Sequence, residues 1–182
     1  MRLLFLSFAL VFSLTLSAQK DSTRYSGGMF YQYNNGSELN GSHGLGGMLR
    51  FYPVKNLYIS GQGASYKADI LFQKSPSYAS LSYGGLSAGV YKYRERTRWS
   101  AGLFFGGGKQ KSLIVTEISG DTITEAHLRK QTITLMSPEI SLEYFITDKI
   151  TFFAQYAYLL GFTKHDSAIR SHQVRLGVLF NR

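Results

Sequence analysis

The stretch SPEISLEYFITDKITFFAQYAYLLG, residues 137–161, decides how this chain folds. Its even positions are mostly apolar, whereas Glu139, Glu143 and Gln155 stand at odd positions. A period of two is that of a β-strand, in which successive side chains point to opposite faces of a sheet. With residues 147–149 as a turn, the stretch predicts an antiparallel hairpin that has one apolar and one polar face.

The predicted turn also sets the register of this hairpin. Directly opposite residues share a face in an antiparallel pair. On the apolar face we expect these pairs: Ile146 with Ile150, Tyr144 with Phe152, Leu142 with Ala154, and Ile140 with Tyr156. On the other face Ser141 is expected to meet Gln155, between the two glutamates.

The same alternation recurs along the chain. The sequence contains thirteen Tyr, thirteen Phe and nineteen Gly but three Pro, a composition that favours strands over helices. Eight strands are predicted, at about residues 25–34, 44–52, 57–66, 80–92, 99 to beyond 108, 132–146, 150–160 and 172–180.

The predicted connections alternate in length. After strands two, four and six they have about three to five residues, and after strands one, three, five and seven about nine or more. Loops are expected over residues 35–43, 67–79 and 161–171, and the fifth and sixth strands are expected to meet in a polar ribbon that turns at residues 119–121. Short turns at one end and long connections at the other are typical of transmembrane barrels. The prediction is an all-β fold, an eight-stranded antiparallel up-and-down transmembrane β-barrel.

Two features predict that the apolar parity faces lipid. The polar parity of the central strands is poor in charge and rich in Gly, Ser and Thr, unlike a surface that faces water. Aromatic residues also cluster near strand ends, as interfacial girdles require. One expected band is Tyr52, Tyr58, Tyr93, Trp99, Tyr144, Phe152 and Phe180, and the other is Tyr31, Tyr33, Tyr66, Tyr78, Tyr156 and Tyr158.

On these strands the chain resembles the small eight-stranded outer-membrane β-barrels of Gram-negative bacteria, the porin-like, outer membrane protein A-type family. The resemblance covers nearly all of residues 19–182 and rests on pattern. It implies a location in the cell outer membrane. Chains of this family often end on an aromatic residue, whereas Phe180 here is followed by Asn181 and Arg182.

The first residues predict export. Arg2 precedes an apolar run over residues 3–16, and Ser17 and Ala18 offer a small-residue cleavage site. We expect a signal peptide at residues 1–18 and one barrel domain at residues 19–182. The sequence has no Cys, which excludes disulfides and thiolate chemistry.

An eight-stranded barrel is narrow enough for side chains to fill it. A polar lumen network is expected, because buried charges need partners. Its predicted members are Arg50, Gln62, Glu139, Glu143, Gln155 and Arg175, with the two arginines as partners of the two glutamates. Such a network either fills the lumen or lines a narrow, gated polar conduit, and we favour the first reading.

The sequence is basic, with a net charge of +9. Phosphates of lipopolysaccharide are candidate partners, because Arg and Lys bind phosphate well. The candidate contacts are Lys109, Lys111, Arg129, Lys130, Lys164 and Arg170. Partners are therefore predicted to be outer-membrane lipids and lipopolysaccharide, with an unidentified surface ligand or envelope protein, and no nucleic acid.

We expect a non-enzymatic protein with an envelope-structural or surface-interaction role through four long extracellular loops, and no cofactor or metal. One alternative is a lipid A-modifying enzyme, because His165 and Ser167 resemble the His-x-Ser pair of the lipid A deacylases. That family has an orienting Glu about a dozen residues later. The corresponding position here is near Leu179, where the sequence has no carboxylate. The other alternative is a secreted soluble barrel that binds an apolar ligand inside.

Overall fold

In a computed structural model the chain is a closed β-barrel, described for residues 25–36, 41–72, 75–119, 122–162 and 169–182. Residues 1–24, with the expected signal peptide, lie outside the described part. The eight strands are β1 Tyr25–Gly36, β2 Ser42–Val54, β3 Leu57–Phe72, β4 Ser75–Arg94, β5 Thr97–Ser119, β6 Thr122–Phe145, β7 Ile150–Phe162 and β8 Ile169–Asn181.

Each strand pairs antiparallel with the next, and β8 pairs with β1 to close the ring. The two ends of the described chain meet at this seam, where the amide of Tyr25 donates to the carbonyl of Arg182 at 3.3 Å and the amide of Arg182 donates back at 2.9 Å. The predicted all-β, eight-stranded up-and-down barrel is confirmed.

The strands are staggered around the ring. A row of paired residues that starts at Leu179 on β8 passes through Gly28, Met48 and Gln62 and continues to Ile169, again on β8. The row has moved ten residues along β8, so the shear of the barrel is ten. Strand number and shear together fix the width of a barrel and incline its rows to the axis.

The connections differ between the two ends. At what we call the short-turn end, the turns are Lys55–Asn56, Glu95–Arg96 and residues 146–149. At the other, hairpin end, β3 and β4 stay paired up to Phe72 and Ser75, so the predicted loop over residues 67–79 is wrong: residues 67–72 and 75–79 form the arms of a hairpin. β5 and β6 extend as a paired ribbon to Ser119 and Thr122, as predicted.

The register of the hairpin that β6 and β7 form is confirmed. Tyr144 pairs with Phe152, Leu142 with Ala154, Ile140 with Tyr156, and Ser141 with Gln155. At the turn the amide of Ile146 donates to the carbonyl of Ile150 at 3.0 Å. The hydroxyl of Thr147 accepts from the amides of Lys149 and Ile150, at 3.3 and 3.1 Å. These bonds stabilise a turn that contains no glycine.

The outer wall is apolar and the inner wall is mixed. Met29 and Leu45 are 72% and 71% exposed on the outside, whereas Arg50 and Arg175 are buried inside. This is the inverse of a soluble barrel, whose aliphatic side chains would fill the interior.

Part of the predicted aromatic girdle is wrong. Trp99, Tyr144, Phe152 and Phe180 are exposed on the outer wall at the short-turn end. Tyr52, Tyr58 and Tyr66, however, are each about 2% exposed and lie in the lumen. They stand one position away from the lipid-facing parity, and side-chain direction follows parity and not nearness to a strand end.

The described residues contain no helix that is long and apolar enough to cross a membrane.

Two adjacent glycines of β5 offer a test of the lumen packing. A Cβ on Gly106, which faces inward, would lie 2.4 Å from the carbonyl oxygen of Gly84 and 2.6 Å from Cζ of Phe104. A Cβ on Gly107, which faces outward, would be no closer than 3.6 Å to the carbonyl oxygen of Ile133. We expect Gly106→Ala to lower the free energy of unfolding by about 1–3 kcal/mol, as measured by urea titration in lipid vesicles. Gly107→Ala is the matched control and should change it by less than about 0.5 kcal/mol. Equal losses in both variants would contradict the packing.

Candidate functional site

The lumen holds its charged groups in two clusters. The first, near the short-turn end, centres on Glu143 of β6, which is fully buried. Arg98 of β5 donates from Nε to Oε2 of Glu143 at 2.8 Å, and its Nη2 contacts the same oxygen. Arg50 of β2 donates from Nη1 to Oε1 of Glu143. One carboxylate therefore joins two guanidinium groups from strands on different sides of the barrel.

Aromatic faces surround these two arginines. The guanidinium carbon of Arg98 lies 4.2 Å from the ring centroid of Tyr52 and 5.2 Å from that of Phe145. The guanidinium carbon of Arg50 lies 4.4 Å from the centroid of Tyr58. A cation over a ring face is attracted by the ring quadrupole, more strongly where water is excluded. The rings thus offset part of the positive charge that a single glutamate leaves.

The second cluster lies deeper in the lumen and centres on Arg175 of β8. Its Nη1 donates to Oε1 of Glu139 at 3.0 Å. Five neutral oxygens also lie 2.7–3.1 Å from its nitrogens, so Nη1 shares its two protons among three acceptors. The five neutral oxygens are Oε1 of Gln32, Gln62, Gln155 and Gln173, and Oη of Tyr83.

Glu139 is bound from more than one strand as well. Nε2 of Gln155 donates to its Oε2 at 3.0 Å, and Nε2 of Gln62 donates to its Oε1 at 2.5 Å. The side-chain amides of Gln62 and Gln155 therefore donate to the carboxylate of Glu139 and also accept from the guanidinium of Arg175. A buried ion pair needs such additional hydrogen bonds to offset the cost of desolvation.

An apolar layer closes the lumen beyond the second cluster, toward the hairpin end. Its side chains are almost fully buried, and they are Leu81, Ile133, Leu135, Leu159 and Ile169. Around Gly161 three of them lie within 3.2 Å of where a Cβ would stand, which shows how closely the layer packs. The expectation of a lumen filled by polar side chains is therefore incomplete, since aliphatic and aromatic side chains fill it too.

All six residues predicted for the lumen lie inside the barrel, and the structure divides them between the two clusters. Arg50 and Glu143 belong to the first cluster, and the other four to the second. Sequence reasoning missed Arg98, although it shares the parity of Ser100 and Gly102. It also missed Gln32, Tyr83 and Gln173, whose signal was again parity alone.

Basic residues form a second candidate site on the outer wall at the hairpin end. Lys67 of β3 pairs with Ser80 of β4, Ser80 with Lys111 of β5, and Lys111 with Lys130 of β6. All three lysines are exposed. Because rows are inclined in a sheared barrel, this cationic row (Lys67, Lys111, Lys130) climbs toward the hairpin end from β3 to β6.

Hydroxyl groups border the cationic row on the side of the apolar wall. Ser65 and Ser82 are joined by a 2.8 Å hydrogen bond between their Oγ atoms. Ser82 pairs with Lys109, and Lys109 with Thr132. The apolar wall thus ends in a band that carries hydroxyl groups and Lys109 and then in the cationic row, so polarity rises in the order met on passing from acyl chains to headgroups.

The structure brings together three of the residues predicted to contact lipopolysaccharide and leaves the others apart. Lys109, Lys111 and Lys130 lie on one outer face. Arg129 is exposed on the opposite parity of β6, and Arg170 is exposed on β8. Lys164 lies outside the described residues. Lys67, which joins the row, was missed because residues 67–79 were read as a loop.

His165 and Ser167 also lie outside the described residues, so the lipid A-modifying alternative stays a prediction. In the described part of the chain, no group of three or more His, Asp or Glu residues is placed to hold a metal ion. Two described histidines pack on outer-wall tyrosines: His43 lies beside Tyr31, and His172 accepts or donates a 2.6 Å hydrogen bond with Tyr156.

The arrangement of the strands is that of the small barrels that span outer membranes. No protein-family model matches the sequence, and no curated protein matches it. Among solved structures the chain is similar to Neisserial surface protein A, with 13% identity over 90% of this chain and 100% of that one, at a TM-score of 0.64.

It is also similar to Ail, the attachment invasion locus protein of Yersinia pestis, with 16% identity over 87% of this chain and 96% of that one, at a TM-score of 0.55. The N-terminal β-barrel domain of Pseudomonas aeruginosa OprF is another match, with 13% identity, 89% and 100% coverage and a TM-score of 0.50. At these identities the likeness is one of fold. The predicted resemblance to small eight-stranded outer-membrane β-barrels is confirmed at that level.

The two clusters should differ in how they tolerate the loss of their carboxylate. Glu143→Gln leaves Arg50 and Arg98 without a buried counter-charge, so we expect the free energy of unfolding in vesicles to fall by about 3–5 kcal/mol. Glu139→Gln leaves Arg175 with several neutral acceptors, so a smaller loss of about 1–3 kcal/mol is expected. Ser141→Ala, between them on the same face, is the control and should cost about 1 kcal/mol. An equal loss of stability in Glu143→Gln and Glu139→Gln, or a larger loss in Glu139→Gln, would contradict this account.

Proposed function

We propose that the chain is an integral, non-enzymatic protein of the Gram-negative outer membrane, exported by its predicted signal peptide. Its role is envelope-structural or surface-interacting, and its hairpin end holds the phosphates of lipopolysaccharide. The observation that carries this proposal is the cationic row, Lys67, Lys111 and Lys130, at the border of an apolar outer wall.

The outer wall supports membrane insertion. Large apolar or aromatic side chains are exposed on every strand of it, including Met29 of β1, Leu49 of β2 and Phe105 of β5. In water an apolar surface of that extent would drive association, whereas in lipid it is the matching solvent. Closure of the ring meets the other demand of a bilayer, since each backbone donor and acceptor needs a partner inside the protein.

The packed lumen supports a structural role over a conduit. The first cluster, the second cluster and the apolar layer follow one another along the axis. Each consists of side chains that are only a few per cent exposed. Water and ions passing through would have to displace an ion pair and an aliphatic layer. We therefore assign the function to the outer surfaces of the barrel and not to its interior.

The lysines of the row support a phosphate ligand. Lys111 lies directly opposite Lys130, and like charges at such positions destabilise a sheet. A phosphate bound between the two lysines makes an attractive contact with each and so offsets their repulsion. Lys109 lies two positions away on the same face and is proposed as a further contact, with Arg129, Arg170 and Lys164 as flanking contacts. Ail, which has this fold, forms a complex with the heparin analogue sucrose octasulfate, a polyanion.

The membrane assignment is tested by fractionation. Expressed with its own N-terminus in a Gram-negative host, the chain is expected in the outer-membrane fraction. It should also migrate faster in an unheated detergent gel than after boiling, because a closed barrel resists the detergent. Recovery as a soluble periplasmic protein, with one mobility in both conditions, would refute the assignment.

The phosphate assignment is tested by ligand-linked stability. A ligand that binds only the folded state raises its stability with concentration. Lipopolysaccharide added to the refolded barrel in neutral detergent should raise the temperature of the gel-mobility transition by several degrees. Dephosphorylated lipopolysaccharide should raise it less, and K111Q/K130Q should abolish the difference between the two ligands.

The matched control for this test is K55Q/K149Q, which removes two exposed lysines at the short-turn end. It should respond to lipopolysaccharide as the unsubstituted protein does. An equal loss of response in both double variants would show that net charge and not the cationic row is responsible. That result would refute the phosphate site.

A further inference from the structure

A groove of about 550 Å³ lies on the outer wall, across the strands from β4 to β8. Ala101 of β5 and Ala154 of β7 lie along it, flanked by the larger Trp99, Ile140 and Tyr156. Since an alanine stands little above the sheet, the wall is lower along these positions than at their neighbours. The groove is therefore a product of residue size on a face where other positions carry leucine, isoleucine or aromatic residues.

One end of the groove is cationic. Lys92 of β4 lines it and pairs directly with Trp99. Both residues lie close to the Glu95–Arg96 turn, hence at the headgroup level of the short-turn end. From there the groove continues past Ala101 and Ile140 toward Tyr156, into the apolar wall. Its chemistry changes along its length from a charged rim to an aliphatic floor.

We propose that this groove binds one acyl chain of an anionic phospholipid, whose phosphate contacts Lys92. The lining of the groove is mostly apolar, as an acyl chain requires, and the lysine at its rim supplies the complementary charge. A groove of this volume also needs an occupant in a bilayer, because an unfilled space forfeits the dispersion contacts of its lining. The site rests on the membrane-embedded barrel proposed above and is separate from the cationic row at the hairpin end.

Charge and shape make distinct contributions to this site. A single lysine near the membrane surface favours an anionic lipid about fivefold over a zwitterionic one. The groove itself favours any acyl chain that fits, whatever its headgroup. Removing the charge should therefore abolish the selectivity, whereas filling the groove should abolish the binding.

Trp99 provides the readout, because it is the only tryptophan of the chain and lies on the groove. The full chain is refolded into phosphatidylcholine vesicles that contain a small fraction of a phospholipid brominated on its acyl chains. The probe is brominated phosphatidylglycerol in one series and brominated phosphatidylcholine in the other. We expect brominated phosphatidylglycerol to quench Trp99 fluorescence at a several-fold lower mole fraction than brominated phosphatidylcholine.

Three variants separate the contributions. K92Q should make the two quenching curves coincide, and A154F, which fills the groove, should remove the excess quenching by phosphatidylglycerol. A88F is the matched control: Ala88 also faces outward, but on β4 opposite Leu103 and outside the groove. Its preference for phosphatidylglycerol should equal that of the unsubstituted chain.

Several results would overturn the lipid site. They are equal quenching by the two lipids, a preference that survives K92Q, or quenching that falls as the protein-to-lipid ratio rises, which would mean that a second copy covers the groove. Each sample is first checked for the heat-dependent shift in gel mobility. An intact shift without lipid preference refutes the lipid site alone, whereas loss of the shift refutes the membrane-embedded barrel.

Discussion

Closure of the backbone between β1 and β8 is the constraint on which the rest of this structure depends. In hydrocarbon an unpaired amide or carbonyl costs several kcal/mol, so a sheet in lipid cannot keep an open edge. The seam extends from Ser26, which pairs with Asn181, to Gly36, which pairs with Ser171. Eight strands closed with a shear of ten leave a lumen of one fixed width, and every inward side chain has to fit into it.

In the narrow lumen, the volume of the inward side chains and their charge have to be accommodated together. Large inward rings lie against glycines of other strands: a Cβ on Gly102 of β5 would lie 2.2 Å from Oη of Tyr58 of β3, and one on Gly46 of β2 would lie 2.3 Å from Cζ of Phe30 of β1. Each buried arginine likewise has both a carboxylate and a ring face, and Arg175 lies 5.4 Å from the ring centroid of Phe30. The glycines make room for the rings, and the rings offset charge that the two glutamates leave.

Parity explains both what the sequence predicts well and what it misses. Alternation within residues 137–161 is enough to place Glu139, Glu143 and Gln155 inward and to set the register of β6 and β7, because a slip of one residue would expose every polar group to lipid. Arg98 and Tyr52 obey the same rule. Their place in the lumen is easily missed because a charge near a turn suggests solvent and a tyrosine near a strand end suggests an interface, and these associations are weaker than the geometry of the pleat.

Alternation disappears where lipid ends, and prediction fails there for a physical reason. Beyond Lys67 the sequence has no regular apolar parity, although the backbone of β3 and β4 remains paired to Phe72 and Ser75. Loss of alternation is expected where a strand no longer has lipid on one side. The apolar layer was missed for the opposite reason. Around Ile133 and Leu135 both parities are uncharged, and the choice between lumen and lipid depends on which opposing side chains meet across the barrel.

Burying acids inside this barrel has a consequence for its surface. Among the described residues, Glu139 and Glu143 stand against Arg50, Arg98 and Arg175 inside the barrel, an excess of one positive charge. The net charge of the whole chain is +9, so most of its positive charge is not in these two clusters. The apolar wall excludes charge from its middle, and the cations are therefore concentrated at the two ends, as Lys111 and Lys130 are at one and Lys92 at the other. A barrel whose buried arginines are offset by two acids thus keeps exposed lysines at both ends of its apolar wall.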